Sequence, residues 1–426
     1  MSHLETIKAV YKKHLNFSED DLAAVEVVFV SLISLSIKGF VDPLWFYIVG
    51  PPGGAKTEIV SPLRYLTDQC LLLSGMTENS FMSGYSDDEG EDPSLIKKLD
   101  GKLLVIKDLT ALISENPITV KKVWGQLRDA YDGFCSKASG KEGLRTYAST
   151  FAVIACVTNQ IDDYNEQNQQ LGERFLTIRM HRHTALLDAR LSYLAHIRKS
   201  IPTKSIWRNE ITAAVIAGYN AVRERMTKNP KGLPVVTEEV GAIIDCIADC
   251  IGLLRTSTIR GSATTPEIPS RLVTQFTMAA SIHAISDERD YITESDLSFI
   301  RRIALDTLSE IRRRIVQFLY TSYITSKGRA GMTIAQLKQG LPGINESHIS
   351  NAITQFQHSN VVVITNTNRD NPSFAISGPA FRHIKKSSLF EEGLHNPHKI
   401  EPIDYSNSVI KHPLDEAYPD FIPQGA

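Results

Sequence analysis

The sequence predicts an α/β protein whose parallel sheet carries a glycine-rich phosphate loop, followed by a helical region and a C-terminal winged helix-turn-helix. Three observations predict it. Short apolar runs alternate with helical patterns over residues 41–183, the order in which strands and crossover helices alternate in a mostly parallel sheet. One of those runs passes directly into a turn of glycine and proline that closes on Lys-Thr. Beyond residue 184 the strand signals stop until a short helix, helix, hairpin order appears near the C-terminus.

Taken in order, residues 1–40 read as an amphipathic helical segment in which Ser18 is placed to cap a helix and Asp21 sits three positions on. Residues 41–183 carry the strand runs Leu44–Val49, Cys70–Leu73, Lys102–Ile106, Phe151–Val157 and Phe175–Ile178, with a clear helical pattern over Val120–Tyr131. The polar, glycine-containing stretch from Phe134 to Ser149 precedes one of those strands and has the composition of a hairpin. Residues 184–318 read as a helical lid, broken near Pro202, at Pro230-Lys231-Gly232 and over Gly261–Pro269. Within 319–386 the order is helix (Thr333–Gln339), turn (Gly340–Gly343), helix (Glu346–His358) and two apolar runs (Val361–Thr365 and Ser373–Ile376), the order of a winged helix. Residues 387–426 turn polar and proline-containing, as an extended tail does.

Composition narrows the function. A chain of 426 residues has room for two or three domains. With 22% charged residues and a formal net charge of −2 it is no polycation, so any contact with nucleic acid must come from local basic patches. Five cysteines without tight metal spacing fit a reducing compartment. Cys246 and Cys250, four apart on a helical pattern, read as a core stripe, and no metal is assigned to them. The first residues lack the basic-then-apolar pattern of a signal peptide, and Ala23–Ile37 is too short and too interrupted to span a bilayer. The expectation is a cytoplasmic protein with no membrane partner.

The chemistry concentrates at Gly50-Pro51-Pro52-Gly53-Gly54-Ala55-Lys56-Thr57, directly behind the first strand run. A nucleotide phosphate needs such a segment: backbone N–H groups free to close around oxygen, a lysine for charge, and a helix start behind it. In this reading the ligands are ATP and Mg²⁺. Lys56 reaches the β- and γ-phosphates and the Thr57 hydroxyl holds the metal. Ala55 departs from the strict motif, which has glycine there.

Four further residues follow in a suggestive order. Lys102–Ile106 runs on through Lys107 to Asp108, an acid at a strand end beside the loop, placed to hold Mg²⁺ or polarise water. Phe151–Val157 ends at Thr158-Asn159, where Asn159 could orient water. Arg174, in Leu171-Gly172-Glu173-Arg174-Phe175, stands at a strand start and suits transition-state charge on a neighbouring subunit's nucleotide. Arg271, in Pro269-Ser270-Arg271-Leu272, opens a helix from which it could fold back onto phosphates.

The ordered set resembles an AAA+ ATPase, and its details are similar to the branch holding the minichromosome maintenance helicases and the MoxR-type ATPases. In that branch the phosphate loop often ends Ala-Lys-Ser or Ala-Lys-Thr, as Ala55-Lys56-Thr57 does here. The resemblance covers roughly residues 40 to 315. It implies sensor 1 at Asn159, an arginine finger at Arg174, sensor 2 at Arg271, and a homo-oligomer, a hexameric ring. It also implies that the hairpin over Cys135–Tyr147 faces the ring's pore and contacts DNA through Lys137, Lys141 and Arg145.

One departure matters. The family's strand ends Asp-Glu, whereas this chain has Lys107-Asp108-Leu109. Either Asp108 is the metal-side aspartate and the catalytic glutamate is missing, or Asp108 replaces the glutamate and Lys107 the aspartate. Glu58 and the acidic run Asp87–Asp92 are the other acids available.

The helix Glu346–His358 contains no lysine or arginine, so DNA binding through it would rest on Asn345, Ser347, Ser350, Asn351, Thr354 and Gln355, with basic help from Lys338, Arg369 and the cluster Arg382–Lys386. Three functions stay open: an ATPase that translocates, unwinds or remodels DNA, as helicases and initiators do; a MoxR-like ATPase that remodels a protein docked on the winged helix; and a nucleotide-gated scaffold that hydrolyses slowly.

Overall fold

A computed structural model describes residues 1–37, 43–83, 86, 91–139, 143–168, 174–180, 187–228, 232–256, 268–328, 331–366 and 371–390. Lys141, Arg369, Leu171–Glu173, Asp87–Gly90 and the tail from residue 391 lie outside them. The chain divides into two compact units, Met1–Thr237 with Thr274–Ile303, and Glu238–Val273 with Ala304–Ala426.

The first unit is α/β. Its strands are β1 (Trp45–Val49), β2 (Cys70–Leu73), β3 (Leu103–Ile106), β4 (Phe134–Ser139), β5 (Gly143–Ala148), β6 (Ala152–Val157) and β7 (Leu176–Arg179). Five of them form one sheet in the order β2-β3-β6-β1-β7, every pair parallel. Each residue of β1, β3, β6 and β7 is buried. That is why these strands appear in the sequence as unbroken apolar runs instead of alternating ones: both faces of the sheet are covered.

On one face, Trp45, Tyr47 and Val49 meet Trp124 and Leu127 of the helix Pro117–Tyr131. The Trp45 indole N–H donates to the Phe151 carbonyl at 2.8 Å, so the largest core side chain leaves no orphan polar atom. Tyr47 and Phe175 stack with ring centroids 4.1 Å apart. Burying each such ring stabilises the unit by roughly 1.5–3 kcal/mol. The helix Glu19–Ser34 packs on β6 and β7. Ser18 and Asp21 form its capping box: Ser18 Oγ accepts from the Asp21 N–H and Asp21 Oδ2 from the Ser18 N–H.

Strands β4 and β5 form a separate antiparallel hairpin that pairs Lys137 with Arg145, where the sequence predicted one.

The second unit carries the helices Glu238–Arg255, Glu310–Thr325, Ile334–Gly340, Glu346–His358 and Gly378–Ser387. Its antiparallel sheet is made of β8 (Met332–Thr333), β9 (Val362–Asn366) and β10 (Ser373–Ile376), in the order β8-β10-β9. Leu337, Ile349, Ile353 and Phe356 are buried along the paired helices. Gly340 lies against the Phe318 ring so closely that no β-carbon fits there. Among the described residues no helix is long and apolar enough to cross a membrane.

Candidate functional site

Because the five strands are parallel, their C-terminal ends share one edge. In open α/β sheets ligands bind outside that edge, where successive connections leave in opposite directions. Here the chain leaves β1 for β2 at the far side, and leaves β6 for β7 across β1, so the reversal lies at β1 and β6. The glycine-rich loop rises at that point. The Gly50 N–H donates to the Val157 carbonyl (3.1 Å) and the Met180 N–H to the Val49 carbonyl (2.8 Å), which ties the base of the loop to both neighbours.

Each small residue in the loop has a reason. The Gly54 N–H donates to the Pro51 carbonyl at 3.0 Å, and a β-carbon at Gly54 would stand 2.9 Å from that same oxygen. Gly53 takes the left-handed conformation at φ 74°. Ala55 takes it too, at φ 62° and ψ 18°, where an L-residue costs about 1–2 kcal/mol and glycine costs nothing steric. Lys56 then opens the short helix Lys56–Val60, and its Nζ returns to the carbonyls of Gly50 (2.6 Å) and Pro51 (3.0 Å). Burial holds the ammonium below its ordinary pKa, opposed by the pull of groups that include the Asp108 carboxylate.

Asp108 stands just past β3. Its position is fixed by the Lys107 N–H on the Leu73 carbonyl (2.9 Å) and the Leu109 N–H on the Cys156 carbonyl (2.8 Å). Asp108 is exposed, and its Oδ1 accepts from the Thr110 N–H at 3.0 Å. Thr110 Oγ1 in turn accepts from the Thr158 N–H at 3.1 Å, linking the ends of β3 and β6. Asn159 follows, exposed, at the start of the helix Gln160–Asn168. The C-terminal edge thus collects Lys56, Thr57, Asp108, Thr158 and Asn159.

Glu58 is ion-paired: Arg208 grips it with Nε at 2.9 Å and with Nη2, and Lys204 lies 3.7 Å away. Asp92, at the end of the acidic run, pairs with Arg145 instead. Glu58 still borders the cavity it shares with Lys56 and Thr57, whereas Asp92 is drawn to the hairpin.

Beside the loop is a cavity of about 320 Å³, bordered by Lys56, Thr57, Tyr193, Ile201, Lys204 and Trp207. Sequence reading missed its downstream wall, because Tyr193, Lys204 and Trp207 lie on ordinary helical patterns with no motif around them.

Arg174 is not brought to this edge within the chain. It precedes β7 and so lies at the opposite, N-terminal edge of the sheet. Its guanidinium is 3.4 Å from Asp132 and sits over the Tyr131 ring, and its carbonyl accepts from Gln275 at 2.8 Å. Arg271 lies in the opening turn of the helix Ser270–Ser286, on residues of the second unit.

The hairpin's described cations are also engaged. Lys137 Nζ donates to the Met82 carbonyl at 2.6 Å, and Arg145 reaches Asp92 at 3.0 Å and Ser86 Oγ at 2.7 Å. Burial acts to raise the Asp92 pKa, but hydrogen bonds from Ser94 and Tyr147 and the charge of Lys97 bring it down to about 2. In the helix Glu346–His358, Gln355 accepts from Arg312, and the Thr354 hydroxyl donates to the Ser350 carbonyl at 2.9 Å.

No protein-family model matches this chain, and no curated protein sequence matches it.

Proposed function

We propose that this chain is an oligomeric, Mg²⁺-dependent ATPase of the phosphate-loop, AAA+ type that acts on DNA, with the β8–β10 segment as a winged helix. One observation carries the reading. The loop Gly50–Ala55 leaves the C-terminal end of a central parallel strand, with Lys56 folded over it and Asp108 and Asn159 on adjoining strand ends.

The residues fit the ligand. Lys56 is held by nothing stronger than two carbonyls, which a phosphate can replace as partner. Thr57 is exposed, and among the described residues the second oxygen of Asp108 has no protein partner, so these two would hold Mg²⁺. The ion would neutralise phosphate charge when bound. Loop N–H groups and Lys56 bind and orient the triphosphate, and Asn159 positions water at its end. Arg174, at the opposite edge, serves a neighbouring subunit's nucleotide once it leaves Asp132.

A second reading has its own support. Lys137 and Arg145 are satisfied within the chain, which favours an ATPase that remodels a protein partner over one that grips DNA through this hairpin.

The deciding experiment is steady-state ATP hydrolysis by the purified chain, with and without single- and double-stranded DNA, beside Lys56→Ala. DNA-stimulated turnover that the variant loses supports the first reading. Turnover indifferent to DNA supports the second. Tight nucleotide binding with no turnover leaves a nucleotide-gated scaffold, and no nucleotide binding at all overturns the proposal.

A further inference from the structure

In the second unit the helices Glu238–Arg255 and Gly378–Ser387 pack together. Cys246 and Cys250, one helical turn apart, there meet His383, which lies 137 residues further along the chain than Cys246. Cys246 Sγ is 3.7 Å from His383 Nδ1, and one ligand atom from each of the three residues lies within 4.8 Å of the others. A tetrahedral ion with bonds of about 2.3 Å to sulfur and about 2.0–2.1 Å to nitrogen spaces its ligand atoms by roughly 3.5–3.8 Å. The cluster therefore needs only a small contraction to close on an ion.

The remaining imidazole nitrogen strengthens the case. His383 Nε2 lies 2.7 Å from Asp249 Oδ2, an ion-pair contact short of hydrogen-bond alignment, and a turn of the ring would give the carboxylate–imidazole arrangement that orients a metal-binding histidine. Both thiols are buried and reduced. A stripe of core cysteines requires neither a histidine facing them nor a carboxylate behind it.

We propose that Cys246, Cys250 and His383 bind a thiolate-preferring divalent ion of the Zn²⁺ type, with water as fourth ligand and Asp249 orienting the histidine. The ion joins two helices that are distant in sequence and keeps one position open to solvent. Each cysteine would ligate as a thiolate and His383 through a neutral imidazole nitrogen. Binding releases the ligand protons to solvent.

The test uses the reduced, full-length chain and Co²⁺ as a spectroscopic probe, followed by competition with Zn²⁺. The expected result is one equivalent of Co²⁺ with a thiolate-to-metal charge-transfer band, displaced stoichiometrically by Zn²⁺. Cys246→Ser combined with Cys250→Ser should abolish the band, with Cys70, Cys135 and Cys156 left in place as internal controls. Asp249 is half-exposed, so Asp249→Asn should fold normally and weaken Zn²⁺ binding by about 10–100-fold; it carries the test if the double variant fails to fold. A band unchanged in the double variant, or Zn²⁺ affinity unchanged in Asp249→Asn, overturns the proposal. So does a wild-type chain whose two thiols oxidise to a disulfide but take up no Co²⁺ when reduced.

Discussion

Lys56 Nζ lies 2.6 Å from the carbonyl oxygen of Gly50, so the lysine that follows the loop also closes it. The contact holds the ammonium over the turn, and on the proposed function a phosphate oxygen takes the carbonyl's place. Lys56→Ala is therefore expected to lower ATP affinity at least 100-fold by calorimetric titration. Thermal stability should fall by at most about 1.5–3 kcal/mol, the range for hydrogen bonds from a charged group, because burial of the ammonium offsets part of the gain. Equal ATP affinity in both proteins would remove Lys56 from the site.

Ala55 and Gly54 respond to substitution in opposite directions. Ala55→Gly relieves a left-handed alanine, a gain of about 1–2 kcal/mol, offset by about 0.4–1 kcal/mol of added freedom in the unfolded chain. The net is a stabilisation of about 0.5 kcal/mol. Gly54→Ala drives a β-carbon to 2.9 Å from the Pro51 oxygen, for a loss of about 1–3 kcal/mol together with weakened ATP binding. Urea midpoints for the two variants should move in opposite directions. A shift of the same sign in both would show that backbone conformation does not govern this turn.

On the proposed function Asp108 is the acid that works, while Glu58 is a tether for Arg208 and Lys204. Asp108→Asn keeps an acceptor for the Thr110 N–H, so the strand end should hold its shape while ATP turnover falls at least 100-fold. Glu58→Gln cuts the charge that Arg208 and Lys204 grip, and is expected to change kcat less than 3-fold. Turnover that survives Asp108→Asn but fails in Glu58→Gln would exchange the two roles.

Much of this architecture was legible in the sequence because the sheet is covered on both faces. Cys70–Leu73 is the strand the apolar run predicted, and the other four runs are offset by one residue or so at their ends. The Ser18–Asp21 cap was legible for a different reason, as both partners lie within one helical turn. What the sequence hid depends on distance along the chain. Nothing near Glu58 announces Arg208, and nothing near Cys246 announces His383. The order β2-β3-β6-β1-β7 was equally hidden, because apolar runs identify strands without saying which is central. The basic residues of the hairpin were legible as charge, but their partners Met82 and Asp92 were not.

Those partners give the hairpin a test. If the chain acts on DNA through it, Lys137 and Arg145 exchange Met82 and Asp92 for phosphates. Lys137→Ala with Arg145→Ala should then lower DNA affinity at least tenfold and reduce the slope of log affinity against log salt by about 1.8, at about 0.9 per phosphate contact. Titrations across a range of salt concentrations provide the reading. An unchanged slope would move the hairpin's role to a protein partner.

Asp92 sets how firmly the hairpin is held, and its effect depends on pH in a definite direction. Its carboxyl titrates near 2 in the folded chain, against an ordinary value of 3.8, with Ser94, Tyr147 and Lys97 around it and Arg145 at 3.0 Å. A depressed carboxyl binds fewer protons folded than unfolded, so its stabilisation is complete above the unfolded value and is lost as pH falls through the folded one. The side chain is mostly covered, and the shift corresponds to on the order of 2 kcal/mol at neutral pH. Asp92→Asn should lose that amount at pH 7 and should lose progressively less, relative to the parent, as pH falls from about 4 to about 2. Urea unfolding of both proteins across that interval provides the measurement. Parallel stability curves would mean that Asp92 does not anchor the hairpin through its charge, and that Arg145 is free to leave it at little cost.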